Sequence, residues 1–223
     1  MATMYETIMN LPLFKGLSHE QVSSFLEKTH FKFSKYSDRE KIVSAGERVE
    51  EVKCVISGQI RLCHIIGDKD LLRLTELRRN HEVIGADRLF GMDTTYGADI
   101  CAVGNVSTME FSKNQYQNLL NAGSIYLLNY LNSLSYGAQI RFNIFNDYPQ
   151  GGFAATCRRI IHTYCSRNSE EISFFFNPKS FAGFCNIDTN SFKKEIIDLE
   201  SIGAIKQIPG GFTIVSEEKF FEA

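Results

Sequence analysis

Near Lys113 the spacing of apolar residues changes from a period of two to a helical period, and near Tyr148 that helical period is cut by Pro149, Gly151 and Gly152. Strands must pair side by side and a long amphipathic helix must bury a stripe, so this order of periods divides the chain into a strand-rich part, a long helix and a separate C-terminal part. Between Phe31 and Phe111 the strands are short. Phe31 and Phe33 alternate with lysine and serine, residues 52–56 run into Ser57-Gly58, and residues 60–64 resume the alternation, which predicts a hairpin at Gly58. Residues 67–70 turn the chain into a strand at 71–75, and residues 100–106 form another. Many short strands at close spacing predict a barrel or jelly roll. Ahead of them, Ser18 with Glu20-Gln21 and apolar Val22, Phe25 and Leu26 predicts a short capped helix.

From about 113 to 146 the residues Leu119, Leu120, Leu127, Leu128, Leu131, Leu134, Ile140 and Ile144 recur at helical spacing, with Gly123 dividing a short helix from a long one. Leu127, Leu131, Leu134 and Ala138 form one seam along it. Tyr148 to Gly152 reads as a hinge, so the expected domains are 1–148, including the long helix, and 149–223. The second domain begins with a helix from Phe153 to Cys165 and a strand at 172–176. Asn177-Pro178 then supplies an N-cap acceptor and a first residue with no orphan amide. After a break at Cys185 to Ile187, Asp188 caps a helix that buries Phe192, Ile196 and Leu199 and stops at Gly203. A hairpin across Pro209-Gly210-Gly211 follows. Helix, tight turn, helix and hairpin is the order of a winged helix-turn-helix. The phenylalanines 174, 175, 176, 181 and 184 read as its core.

Composition narrows the classes. Of the 223 residues 43% are hydrophobic and 22% charged, as in a globular protein of one or two domains. Every apolar run is far shorter than the ~18 residues that a bilayer-spanning helix needs. Glu6 is the only charge from Met1 to Phe14, so no basic leader is visible and a cytoplasmic location is expected. The six cysteines form no C-x-x-C pair, which argues against a zinc site or a disulfide framework. A net charge of -2 means that any nucleic-acid contact is local. Walker, H-E-x-x-H, G-x-S-x-G and dinucleotide glycine motifs are missing, and Cys63 and His64, adjacent on a strand, point to opposite faces. The expectation is a non-enzyme.

Gly46-Glu47 with Gly58 twelve positions on, Val83-Ile84-Gly85 followed by Leu89-Phe90, and Phe181-Ala182 to Cys185-Asn186 before Thr189 to Lys194 together carry a resemblance. On these residues, over nearly its whole length, the chain resembles the CRP/FNR superfamily of bacterial transcription regulators. The resemblance implies an α+β fold with an N-terminal double-stranded β-helix, or jelly roll, of the cyclic nucleotide-binding type, a long dimerisation helix and a C-terminal winged helix-turn-helix. It implies an effector pocket at Gly85, Ala86, Asp87, Arg88, Tyr96, Gly97 and Ala98. Members that bind cyclic AMP have Gly-Glu where this chain has Gly85-Ala86, and Arg-Ser or Arg-Thr where it has Tyr96-Gly97. An arginine–phosphate contact contributes roughly 1.5 to 3 kcal/mol, so its loss weakens a cyclic nucleotide by ~10-fold or more and points to another effector, or to none. Arg88 and Arg73 are the candidate replacement cations. The family's N-terminal iron–sulfur cluster is excluded because no cysteine precedes Cys54. Haem needs an axial ligand, and the histidines 19, 30, 64, 81 and 162 show no diagnostic spacing.

The resemblance further implies a homodimer, joined through Leu127, Leu131, Leu134 and Ala138, that binds a palindromic operator in double-stranded DNA, with RNA polymerase as a further partner. Lys179, Ser180, Thr189, Asn190, Ser191, Lys193 and Lys194 are the expected DNA contacts, with Lys206, Arg158 and Arg159 as additional phosphate contacts. Asn pairs bidentately with adenine and Lys with guanine, so bases remain readable although the family's usual Arg-Glu-Thr is absent. The alternative is a ligand-binding protein-interaction module that has lost DNA binding.

Overall fold

The computed structural model describes residues 4–67, 71–79, 81–147, 152–166 and 169–222. In chain order its elements are α1 (Met4–Met9), a 3₁₀ turn (Pro12–Phe14), α2 (His19–Lys28), β1 (Lys32–Tyr36), β2 (Lys41–Val43), β3 (Glu51–Ile66), β4 (Leu72–Arg78), β5 (Val83–Ile84), a second 3₁₀ turn (Ala86–Arg88), β6 (Asp99–Ser112), α3 (Lys113–Ala122), α4 (Ser124–Asp147), α5 (Phe153–Tyr164), β7 (Glu171–Phe176), α6 (Pro178–Phe184), α7 (Thr189–Ser201), β8 (Ile205–Ile208), β9 (Gly211–Ile214) and α8 (Glu217–Glu222). They form two compact units, Met1–Arg61 with Arg79–Ala138, and Leu62–Arg78 with Gln139–Ala223.

In the first unit β6 is the central strand. It pairs antiparallel with β1, Lys32 opposite Glu110 and Tyr36 opposite Val106, while β2 also pairs with β6 and β5 pairs with β3 at Lys53 and Ile84. All these pairings are antiparallel, and the strands make a jelly-roll-like sheet. Capping boxes start two of the flanking helices: Ser18 with Gln21 opens α2 and Ser112 with Gln115 opens α3, each pair satisfying two orphan amides. Phe14, Phe111, Tyr116 and Leu119 lie in the core, and Phe25 joins Phe14, Phe31 and Phe111 in aromatic contact.

The hairpin expected at Gly58 is not there. β3 runs unbroken through Gly58, where φ is +96° and a Cβ would come within 2.4 Å of the Asn105 carbonyl oxygen. A glycine inside a strand marks either a turn or a close backbone approach, and here it marks the approach.

In the second unit β4 pairs with β7 from Leu72 opposite Phe176 to Leu77 opposite Glu171, β7 pairs with β9, and β9 with β8, all antiparallel. Phe153, Phe174, Phe181, Phe192 and Phe212 form its aromatic core, each such burial contributing roughly 1.5 to 3 kcal/mol. Phe184, expected in that core, is 47% exposed and only flanks Phe181. The turn between β8 and β9 is Pro209-Gly210, and Gly211 belongs to the strand, where a Cβ would fall 1.7 Å from the Phe174 carbonyl oxygen. The boundary expected at 148 therefore differs from the observed division, since the segment Leu62–Arg78 belongs with the C-terminal residues through the β4–β7 ladder. Of the expected hinge, residues 148–151 lie outside the described residues; Gly152 caps α5 at φ +81°.

Candidate functional site

The loop from β5 to β6 gathers the expected pocket residues in the first unit. Gly85 takes a left-handed conformation and starts the 3₁₀ turn, with no room for a side chain: its Cβ would fall 2.9 Å from Val49 and 3.1 Å from the Tyr96 ring. The Tyr130 hydroxyl, from α4, donates to the Ala86 carbonyl at 3.1 Å and ties the turn to the helix. Tyr96 is buried. Its backbone exchanges hydrogen bonds with Gly46 and Glu47, and its hydroxyl donates to the Glu51 carbonyl at 3.2 Å. Burial pushes the Tyr96 phenol up to about 12, with the nearby carboxylates of Glu51 and Glu110 adding to the effect, so the group stays neutral at physiological pH. Ala98 is also buried, whereas Asp87 and Gly97 are exposed.

Of the two candidate cations, only Arg88 reaches this loop. Its guanidinium donates to Asp93 at 2.7 Å, and its Nη2 lies 3.1 Å from the position a Gly97 Cβ would take. Asp93 is held below the ordinary aspartate value, first by hydrogen bonds from Thr95 and then by Arg88. An anion entering beside Gly97 would therefore share Arg88 with Asp93. Arg73 instead stacks over the Phe175 ring at 4.6 Å in the second unit.

An ionic cluster around the buried Glu110 carboxylate adjoins Tyr96 and was not legible in the sequence. Glu110 on β6 accepts from Tyr36 and Thr108 and pairs with Lys53 at 3.1 Å and Lys32 at 2.9 Å; both lysines also pair with Glu51. Burial alone would raise the Glu110 carboxyl, but the bonds from Lys32, Lys53 and Thr108 outweigh it and hold it at about 2. Charged residues in a strand read as solvent-facing; only the alternation of Lys32, Ser34 and Tyr36 opposite Thr108 and Glu110 places them on one face.

In the second unit α6 and α7 present the other expected residues. Asn177 accepts from the amides of Lys179 and Ser180, and Asp188 accepts from those of Asn190 and Ser191, so both helices start where the caps predict. Phe192, Ile196 and Leu199 bury one side of α7 while Asn190, Ser191, Lys193 and Lys194 are exposed, with Thr189 half-buried. The Ser191 hydroxyl is engaged by Asp188. Leu199, Glu200, Gly203 and Ala204 close the helix with the paired bonds expected when glycine follows its end. Lys179, Ser180 and Lys206 are exposed. Arg158 is not available as expected: its guanidinium donates twice to the Phe220 carbonyl, anchoring α8.

Along α4, Tyr126, Tyr130 and Ile144 are buried, but Leu127 is 42% and Leu131 47% exposed, Leu128 and Ala138 are also exposed, and Leu134 is half-buried. Burial within the same chain thus does not account for the seam.

Residues 33–122 match the profile of the cyclic nucleotide-binding domain, and no curated protein matches the chain. Solved structures similar to it include the sensor domain of the transcriptional regulator DNR from Pseudomonas aeruginosa, 19% identical with a TM-score of 0.52 over 62% of this chain and 90% of that one. The catabolite activator protein of Thermus thermophilus is 18% identical with a TM-score of 0.47, covering 95% of this chain and 97% of that one. The N-terminal domain of a transcriptional regulator from Streptomyces coelicolor A3(2) is 19% identical with a TM-score of 0.48, over 63% and 93%. The likeness to the DNR sensor domain is one of fold. The chain carries a cyclic nucleotide-binding domain of jelly-roll-like architecture, and no helix among the described residues is long and apolar enough to cross a membrane.

Proposed function

We propose that this chain is a homodimeric, sequence-specific DNA-binding transcription regulator of CRP/FNR type and not an enzyme. Its α5 to β9 segment would be a winged helix-turn-helix and its cyclic nucleotide-binding-like domain a sensor for an effector other than cyclic AMP. The observation that carries this reading is the division of α7 into a buried face of Phe192, Ile196 and Leu199 and an exposed face bearing Asn190, Lys193 and Lys194. A capped helix of that kind, preceded by a second short helix and followed by a β-hairpin, fits a major groove. Two copies, joined through the exposed leucines of α4, would read the two halves of a palindrome.

The pocket supports an effector without a cyclic phosphate. Ala86 offers no carboxylate to a ribose hydroxyl, Tyr96 is a neutral phenol where the phosphate anchor would stand, and Arg88 is already paired with Asp93. Whatever the effector, it acts only by favouring one arrangement of the dimer over another.

Selection from a random DNA duplex pool with the full chain tests the reading. A palindrome should be enriched, and Lys193→Ala with Lys194→Ala should lower affinity by on the order of 10-fold or more and flatten its salt dependence. Unchanged affinity and salt slope in the double variant would remove α7 from the interface. A pool that enriches nothing would favour the protein-interaction alternative.

A further inference from the structure

The exposed face of α7 carries one residue that the DNA-binding reading leaves unexplained. Ile197 is 60% exposed, on the side opposite the buried Phe192, Ile196 and Leu199. It follows Asn190, Lys193 and Lys194 at i+7, i+4 and i+3, so all four side chains share one helix face. Seven residues rise about 10.5 Å, roughly three base-pair rises of about 3.4 Å, so a helix lying along the groove brings the row to neighbouring base edges. Single exposed apolar residues are common, and exposure alone says nothing here. Position does. Ile197 falls within the row of polar candidates, where its branched side chain adds nothing to the core and has a lower helix propensity than the lysine or glutamate that would otherwise suit a solvated face. The two other exposed aliphatic groups nearby lie off this row: Ile202 caps the end of α7 and Val215 follows β9, with its amide on the Ala204 carbonyl.

Among the groups displayed on major-groove base edges, the C5-methyl of thymine is the apolar one. We propose that Ile197 is a specificity-determining residue that packs on a thymine methyl group in each operator half-site. The proposal rests on the DNA-binding reading of α7. Ile197 lies about 4.5 Å along the helix from Lys194, against a rise of about 3.4 Å per base pair, so the thymine stands one or two base pairs from the base that Lys194 contacts. The half-site therefore combines hydrogen-bonded bases, met by Asn190 and the lysines, with one position read by its methyl group alone.

The test uses the operator recovered by selection with the full chain. Each thymine is replaced in turn by deoxyuridine, which lacks only the C5-methyl, and binding is measured for the wild type, Ile197→Ala and Ile197→Val. One symmetric pair of positions should weaken the wild type by about 3- to 5-fold for each methyl removed, keep most of that effect with valine, and show none with alanine. Ile197→Ala should melt like the wild type, because the side chain lies outside the core. An operator with no methyl-sensitive thymine, or equal sensitivity in Ile197→Ala, overturns the inference while leaving DNA binding in place. A pool that enriches no operator overturns the DNA-binding reading itself, and the inference with it.

Discussion

Gly58 and Gly46 show how much one residue's surroundings decide. Both have positive φ, but a Cβ on Gly46 meets open space whereas one on Gly58 would strike the Asn105 carbonyl and the Val106 backbone. Backbone atoms of a paired strand cannot step aside as the end of a flexible side chain can. Gly58→Ala should therefore destabilise the first unit by roughly 3 kcal/mol or more, against about 1 kcal/mol for Gly46→Ala, read as the difference between their urea midpoints. Equal losses would mean that φ alone, and not the close approach, requires glycine at 58. The sequence marked Gly58 as special without saying why. A turn and a buried close approach both select a residue without Cβ, and only the presence of Asn105 across the ladder separates them.

At the scale of the element, the helices were the legible part. The signals for α2, α6 and α7 are local: Ser18, Asn177 and Asp188 accept from amides two or three residues ahead, and those bonds form wherever the helix later packs. Gly123 likewise separates α3 from α4 as its position suggested. The elements α1 and α8, at six residues each, carry too few turns for a period to be visible. For α4 the sequence supplied a seam, and the structure leaves Leu127 and Leu131 exposed within one chain. Leu131→Glu should thus leave the fold and its melting largely intact while converting a dimer to monomers in sedimentation equilibrium, because a carboxylate buried against its symmetry mate is unpaired. A folded variant that stays dimeric would move the interface elsewhere.

Across the whole molecule, each unit holds one deeply buried carboxylate among the described residues. Glu110 belongs to the first. Glu76 belongs to the second, where it accepts from the Ser166 amide at 3.0 Å, from Ser169 and from Arg78, with His64 Nε2 at 3.4 Å. Burial alone would raise Glu76, yet the bonds from His64, Arg78 and Ser169 hold it at about 2. Both carboxyls sit below their ordinary value of 4.5, so their contribution is complete above pH 4.5 and is lost as pH falls through about 2. Each shift corresponds to roughly 3 kcal/mol. Stability should therefore drop steeply below pH 4.5, with Glu110→Gln flattening the acid dependence of the first unit and Glu76→Gln that of the second, as followed by hydrogen exchange of their separate core amides. A Glu76→Gln protein with the wild-type acid profile in both units would exclude this network as a source of acid lability.

The sequence alone determined the caps of α2, α6 and α7 and the buried face of α7, because each depends on residues within a few positions of one another. It also carried the resemblance that pointed to a jelly roll. Tertiary structure decided what depends on residues far apart: that 51–66 is one strand, that β4 pairs with β7 and so belongs with the C-terminal unit, that Arg88 and not Arg73 lies beside Gly97, and that Lys32 and Lys53 converge on the buried Glu110. Pairing register and the company a buried charge keeps are set by which strands meet, and no local pattern of residues encodes that meeting.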